Sequence, residues 1–380
     1  MNRICALGGD WMTRIACYLH RGCGISAREN LMAVLHHEKP EYIPFFIYSG
    51  LIGIGSFERE LRNMGLGIIH AWTPVYKAEH PNVRVEERET GGIIHREFHT
   101  PVGTVSMKIR TGLKRGTGGK WIVEHMIKDV SDYKVIKFII DDTVYRPDYD
   151  FFLELERDIG GDGVVAAGVD PTPLTKLWVD YMGLERLSIA LYKHPRELDD
   201  LIQTISRKQE EAYRIVAESP AELVWCGEQV NGAIINPRLF RKYYLPEFEK
   251  YAEILHAKRK IFSVHMDGLL KNLKDEVKDT SIDIVEAFTP PPMGDLTLRE
   301  AREAWRDKFI IWVNFPETLF HHGSQEVERH MIRLLREAAP GDRVVMGITE
   351  DMPLNMMQEG LRSIIRTIRR HGKYPIKFHS

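Results

Sequence analysis

Six acidic residues, one histidine and one asparagine stand just after short apolar segments of the chain. If those segments are parallel strands, the side chains meet at one edge of a sheet. So many carboxylates repel one another there unless they are protonated, hydrogen-bonded or neutralised by a cation. A bound metal ion would meet this requirement. The residues concerned are Asp170, Glu228, His265, Asp267, Glu286, Asn314, Glu350 and Asp351.

Three of these residues form the candidate metal site. His265, Glu286 and Glu350 offer one nitrogen and two carboxylate ligands, a set that zinc accepts with a position left open for substrate. The competing interpretation is a hydrogen-bonded histidine beside carboxylates that cap helices. The remaining acids are candidates for a further ligand or for proton transfer. They are Asp267, Glu228, Asp351 and Asp170.

Aromatic and amide side chains in the same regions suggest a substrate pocket. Trp178, Tyr181 and Asn314 are the candidates for its lining, although aromatic residues at helical spacing usually belong to a hydrophobic core. Cys226 is isolated in sequence and is expected to pack as a small apolar residue.

The apolar segments predict the elements that position these residues. Eight of them are short and nearly continuous in apolar character, which is typical of parallel strands buried on both faces. They are Ile43–Ile47, Gly67–Trp72, Val164–Val169, Leu223–Cys226, Ile261–Val264, Ile282–Val285, Phe309–Val313 and Val344–Ile348.

Amphipathic helical segments separate the later strands. They are predicted at 237–258, 269–277, 297–306 and 325–337. Eight strands alternating with helices predict an α/β fold of the (β/α)8 TIM-barrel type, whose active site lies at the C-terminal ends of the strands. A doubly wound sheet is the alternative, but the chain lacks a G-x-G-x-x-G segment after a strand and a Walker lysine loop.

Two regions depart from this alternation. Residues 83–110 alternate apolar and polar side chains around Gly91-Gly92 and Pro101-Val102-Gly103, which predicts an inserted antiparallel β-hairpin region. The first helix is expected at Ser26–Glu29, where a serine and a glutamate can form a capping box. Residues 1–25 are therefore interpreted as an N-terminal extension, and residues 26–380 as the barrel domain.

Composition limits the classes of partner. The chain has 380 residues, 52 basic and 54 acidic side chains and a formal net charge of −2, which argues against binding to nucleic acid or to an anionic membrane surface. It contains no apolar run of the roughly 18 residues that a transmembrane helix needs, and its N-terminus lacks a signal-peptide core. A cytoplasmic location is the expectation.

Five local segments carry a resemblance to a known family. They are SARENLMAVLHHEKPEYIP at 26–44, MGLERL at 182–187, NPRLF at 236–240, YLP at 244–246 and HMDG at 265–268. These segments resemble the uroporphyrinogen decarboxylase superfamily, over about residues 26–375. That resemblance implies a (β/α)8 barrel, frequent pairing as homodimers, and one of two chemistries. These are decarboxylation of uroporphyrinogen, and methyl transfer involving a corrinoid protein, typically with zinc.

Departures from the family patterns favour the second chemistry. True uroporphyrinogen decarboxylases carry Arg-Gln-Ala-Gly-Arg after the first strand, whereas residues 48–56 read YSGLIGIGS and supply no guanidinium for the substrate carboxylates. Methyltransferases of this kind place His-x-Cys after one strand and a cysteine after the last. Here the corresponding residues are His265, Asp267 and Glu350. Carboxylates leave zinc more Lewis-acidic than thiolates do, which suits polarising an ether oxygen or amine.

The sequence therefore predicts a zinc-dependent methyltransferase that demethylates a small substrate, with a methoxylated aromatic compound as one expected class. The methyl acceptor is expected to be the Co(I) corrinoid of a partner protein, because the chain has no Asp-x-His-x-x-Gly segment of its own. Two alternatives are a decarboxylase or lyase for a smaller carboxylated substrate, and a non-catalytic relative that binds a tetrapyrrole or methylated ligand.

Overall fold

A computed structural model describes residues 25–113 and 119–378. Its central feature is a closed barrel of eight parallel strands, each hydrogen-bonded to two neighbours. The predicted TIM barrel is thus confirmed, with each predicted strand shifted by no more than two residues at its start and three at its end. The strands are β1 (Phe45–Tyr48), β2 (Gly67–Thr73), β9 (Gly163–Val169), β10 (Leu223–Cys226), β11 (Ile261–His265), β12 (Ile284–Phe288), β13 (Ile310–Asn314) and β14 (Val344–Ile348).

Helices surround the barrel and bury its outer face. In the described part of the chain the α-helices are α1 (Ala27–Leu35), α2 (Ser56–Asn63), α3 (Tyr133–Asp141), α4 (Asp150–Ile159), α5 (Pro173–Lys176), α6 (Gly183–Lys193), α7 (Pro195–Glu218), α8 (Pro237–Leu239), α9 (Leu245–His256), α10 (Lys274–Lys278), α11 (Leu298–Trp305), α12 (Ser324–Ala338) and α13 (Met357–His371). Two π-helical segments, Leu177–Met182 and Phe240–Tyr244, follow α5 and α8.

Local sequence explains where the first helix begins. Ser26 accepts a hydrogen bond from the backbone amide of Glu29, whose carboxylate in turn accepts one from the Ser26 amide. This is the expected capping box, and it satisfies two amides that the helix leaves without an internal partner. Nearly all of the predicted N-terminal extension, residues 1–24, lies outside the described residues.

The inserted region is an antiparallel sheet. Strands β4 (Arg84–Thr90), β5 (Ile93–Thr100), β6 (Gly103–Arg110) and β7 (Trp121–Glu124) pair in that order. A two-stranded sheet of β3 (Tyr76–Glu79) and β8 (Val144–Pro147) connects this region to the barrel. The insertion thus contains the predicted hairpin strands and extends beyond them to residue 124.

Two irregularities interrupt the barrel near its C-terminal mouth. In β2, the pairing with β9 shifts between His70 and Thr73, and in β12 the pairing with β13 shifts between Val285 and Phe288. Each is a β-bulge that re-aims the side chains within it. Ala287, inside the second bulge, has a φ of 57°, a backbone strain of the kind found at functional sites.

None of the helices in the described part of the chain is long and apolar enough to cross a membrane.

Candidate metal and substrate site

A buried hydrogen-bond network fixes His265 at the end of β11. Its Nδ1 lies 2.8 Å from Oε2 of Glu286, which is completely buried on the neighbouring strand β12. Tyr48 donates to Oε1 of Glu286 at 2.7 Å, and the Trp225 indole donates to Oε2 at 3.0 Å. The carboxylate therefore holds Nδ1 in its protonated form and leaves Nε2 directed away from it.

Two other carboxylates lie on the open side of His265. Ligand atoms of His265, Asp267 and Glu350 all lie within 4.8 Å of one another, and the distance from His265 Nε2 to Asp267 Oδ2 is 3.8 Å. One imidazole nitrogen and two carboxylates can hold zinc with a position free for substrate. The structure thus brings Glu350 together with His265 and Asp267, whereas the third predicted ligand, Glu286, lies outside this group and contacts the imidazole at Nδ1.

Three carboxylates, those of Asp267, Glu286 and Glu350, surround a single imidazole at this position. Burial raises the pKa of Glu350 to about 7 against the lowering effect of His265, and the charges of Asp267, Glu317 and Glu286 raise it further. Burial by itself would lower the pKa of His265, but Glu286 and Asp267 raise it to about 10. A cation at this position would neutralise the carboxylates, so the residues present fit a metal ion.

Asn314 supports the loop that carries Glu350. It is completely buried, accepts a hydrogen bond from the Thr349 amide at 2.9 Å and donates to Thr289 Oγ1 at 3.2 Å. The predicted pocket residue thus joins the ends of β12 and β14. Asp351, the next residue after Glu350, is exposed to solvent.

Glu228 and Asp170 lie elsewhere at the mouth. The completely buried Glu228 accepts hydrogen bonds from the backbone amides of Thr172 and Gln229 at 2.7 and 2.9 Å, and burial raises its pKa. Asp170 forms an ion pair with Lys176 at 3.0 Å. Both acids therefore have strong partners of their own, separate from the His265 group.

The remaining predicted residues occupy the π-helical segment and the strand wall. Trp178 is partly buried and packs against the hydrophobic core. Tyr181 also packs there and lines a cavity of about 430 Å³ against the inserted sheet, together with Phe98 and Trp121. Cys226 is completely buried and free, and burial raises the pKa of its thiol, so it packs as expected.

Sequence reasoning missed four residues beside the His265 group. Tyr48 and Trp225 hold Glu286, as described above. Trp72 contacts both of their rings, at centroid distances of 5.1 and 5.4 Å. Glu317 is buried with an Oε2 that has no hydrogen-bond partner in the described structure, and burial raises its pKa. The three aromatic residues carry no signal that distinguishes them from other apolar strand residues. Glu317 is the third residue after β13, so its position beyond a strand end was a signal for the mouth.

The fold and this site define a (β/α)8-barrel protein with a candidate metal-binding group at its mouth. The family model described as "Uroporphyrinogen decarboxylase (URO-D)" matches residues 168–371, which is more than half of the chain. The chain therefore belongs to the uroporphyrinogen decarboxylase family.

Solved structures support the fold. A "methyltransferase from Methanosarcina mazei" superposes with a TM-score of 0.58 at 12% identity, covering 91% of this chain and 99% of that one. The GH18 chitinase ChiB of Flavobacterium johnsoniae has a TM-score of 0.32 at 12% identity, covering 60% of this chain and 81% of that one, too low to support an argument. No curated protein matches the chain at a significant level.

Proposed function

We propose that this protein is a zinc-dependent methyltransferase that moves a methyl group from a small methylated substrate to the corrinoid of a partner protein. The observation that carries the proposal is the His265, Asp267 and Glu350 group at the mouth of a barrel of this family. The likeness in fold to a protein described as a methyltransferase is consistent with it.

The proposed ligands are Nε2 of His265 and the carboxylates of Asp267 and Glu350. Glu286 acts from the opposite side of the imidazole, because it already binds Nδ1 and accepts bonds from Tyr48 and Trp225. Metal-bound histidines commonly donate their other ring nitrogen to such a carboxylate, which sets the ring orientation. This revises the ligand set expected from sequence by exchanging Glu286 for Asp267.

The residues of the mouth would have different roles in the reaction. Zinc, when bound, supplies a Lewis acid that polarises the substrate heteroatom bearing the methyl group. His265 and the two carboxylates position that heteroatom, and the open mouth leaves the methyl carbon accessible to an in-line nucleophile from the partner. Glu317, whose charge interacts with that of Glu350, is buried with a raised pKa and can hold a proton for the departing alkoxide or amine.

The charge of the mouth argues against decarboxylation of uroporphyrinogen. Residues 49–55, which follow β1, include no basic side chain. Lys176, the cation next to Asp170, is also paired with Asp180 at 2.9 Å. At these two described positions the chain therefore offers no free guanidinium group of the kind that recognition of several carboxylates requires.

Metal analysis combined with a methyl-transfer assay tests this proposal. We expect about one equivalent of zinc in the wild-type protein and loss of that zinc in His265→Ala and Glu350→Gln. Reduced corrinoid protein and a panel of methylated donors should yield methyl-Co(III), which is detected by its absorption spectrum.

A matched control comes from a second group of possible ligands. Glu86, Glu97 and His99 lie together on the inserted sheet, so His99→Ala removes a histidine of comparable type outside the mouth. Zinc loss in His99→Ala but not in His265→Ala would overturn the site assignment. Full zinc content without methyl transfer from any donor would overturn the proposed reaction.

A further inference from the structure

An aromatic wall, formed by Tyr48, Trp72 and Trp225, lines one side of the barrel mouth. Trp72 lies 5.1 Å from Tyr48 and 5.4 Å from Trp225 between ring centroids, and Trp225 lies 5.6 Å from the ring of His265. The rings of Tyr48 and Trp225 are buried, but 55% of Trp72 is exposed. The wall therefore runs without a gap from solvent to the candidate metal ligand.

The backbone is built to place Trp72 in this wall. The pairing of β2 with β9 advances by three residues on β2, from His70 to Thr73, but by only two on β9. The extra residue re-aims the side chains of the bulge. Gly168 of β9 permits the close approach, because a Cβ atom at that position would lie 2.8 Å from the Trp72 Cα.

The polar atoms of the two buried rings already form hydrogen bonds within the protein. The Tyr48 hydroxyl and the Trp225 indole nitrogen both bind Glu286, which fixes the orientation of the two rings. Tyr48 meets Trp72 edge-on, at 76°. The aromatic wall therefore exposes carbon surface to the mouth, and the Trp72 ring is its exposed part. The rings of Tyr48 and Trp225, fixed by Glu286, support it.

We infer that the Trp72 ring is a stacking platform that selects substrates whose methylated heteroatom is attached to a planar aromatic ring. The inference rests on the proposed methyltransferase function and specifies its substrate class. Aromatic pairs gain about 0.5–1.5 kcal/mol beyond the burial of their area, so the platform distinguishes an aromatic ring from a saturated ring of similar size. An aryl methyl ether also retains an oxygen lone pair for a Lewis acid, whereas a quaternary ammonium compound has none.

Binding of two matched probes tests the platform without any methyl transfer. The probes are 4-methoxyphenol and its saturated counterpart 4-methoxycyclohexanol, titrated calorimetrically into the full-length protein supplied with zinc. We expect the aromatic probe to bind about 2- to 10-fold more tightly. Trp72→Ala should abolish this preference and Trp72→Phe should keep most of it. Trp121→Ala, which removes another exposed tryptophan (60%) on the inserted sheet, should leave it unchanged.

Equal affinity for the two probes in the wild-type protein, or an undiminished preference in Trp72→Ala, would overturn the platform. A Trp72-dependent preference without methyl transfer to corrinoid would support the platform and refute the proposed reaction. Equal binding of the two probes, together with methyl transfer from both aromatic and saturated ethers, would refute the platform and support the proposed reaction. The two proposals can therefore fail separately.

Discussion

Replacing Glu286 by glutamine tests whether this residue orients His265 or binds the metal itself. The substitution preserves size in a site that is completely buried. A glutamine oxygen can still accept from His265 Nδ1, and its amide group would face the Tyr48 hydroxyl, whose oxygen can accept a hydrogen bond. The fold should survive, and the substitution removes the negative charge while reversing the direction of the hydrogen bond to Tyr48.

The expected magnitude follows from the hydrogen bonds that lose this charge. A bond to a charged group contributes about 1.5–3 kcal/mol and a neutral one about 0.5–1.5 kcal/mol, so the His265 bond weakens by about 1–1.5 kcal/mol. Because each factor of ten corresponds to about 1.4 kcal/mol, zinc affinity should fall about tenfold. This agrees with the 10- to 100-fold effects typical of residues that hydrogen-bond a metal ligand.

The assay is competition for zinc with a chromophoric chelator, measured for wild type, Glu286→Gln, Glu350→Gln and a control. Glu247→Gln is the matched control, because Glu247 is also a buried carboxylate but binds Ser206 and Lys250. Its zinc affinity should equal that of the wild type. Unchanged affinity in Glu286→Gln would refute the orienting role, and a loss as large as that of Glu350→Gln would show that Glu286 is itself a ligand.

Three further changes probe stability and the support of the site. Burial lowers the pKa of His330 to about 4 from its usual 6.5. The unfolded state therefore binds a proton at higher pH than the folded state does. As the pH falls from 6.5 to 4, the free energy of unfolding should fall by up to about 3 kcal/mol. The His330→Leu variant should not show this loss when both proteins are unfolded in urea. Asn314→Ala removes the acceptor of the buried Thr349 amide, so it should cost about 1–3 kcal/mol and weaken zinc binding. Gly168→Ala places a Cβ atom 2.8 Å from the Trp72 Cα and should cost about 1–3 kcal/mol through overpacking, with weaker binding of aromatic probes.

Each of these expectations has a contrary outcome. Identical acid sensitivity in His330→Leu and wild type would contradict the buried neutral histidine. Asn314→Ala with unaltered zinc affinity would separate this residue from the site. Gly53→Ala is the control for Gly168→Ala, since a Cβ atom there meets nothing within 4 Å, and equal melting temperatures for the two variants would refute the argument from close approach.

The barrel was predictable from sequence because its determinants are local. Strands buried on both faces must be nearly continuous in apolar side chains, and the segment Val344–Ile348 matches β14 residue for residue. Three of the inserted strands, β4 to β6, could be found from their alternation of apolar and polar residues around Gly91-Gly92, whereas β3, β7 and β8 were not predicted. In a closed parallel barrel, the residues that follow each strand lie at one mouth. For this reason the sequence alone predicted that His265 and Glu350 lie together.

The contacts at that mouth were decided only by the tertiary structure. Glu286 and Asp267 both follow or end apolar segments, and nothing in their local sequence distinguishes the side of the imidazole on which each lies. Trp72 and Trp225 read as ordinary apolar strand residues, although one is half exposed in the mouth and the other holds Glu286. The sequence by itself determined the alternation of strands and helices and the kinds of side chain at the strand ends. Strand register and the two bulges decided which of these side chains touch, because a shift of one residue reverses the direction in which a strand side chain points.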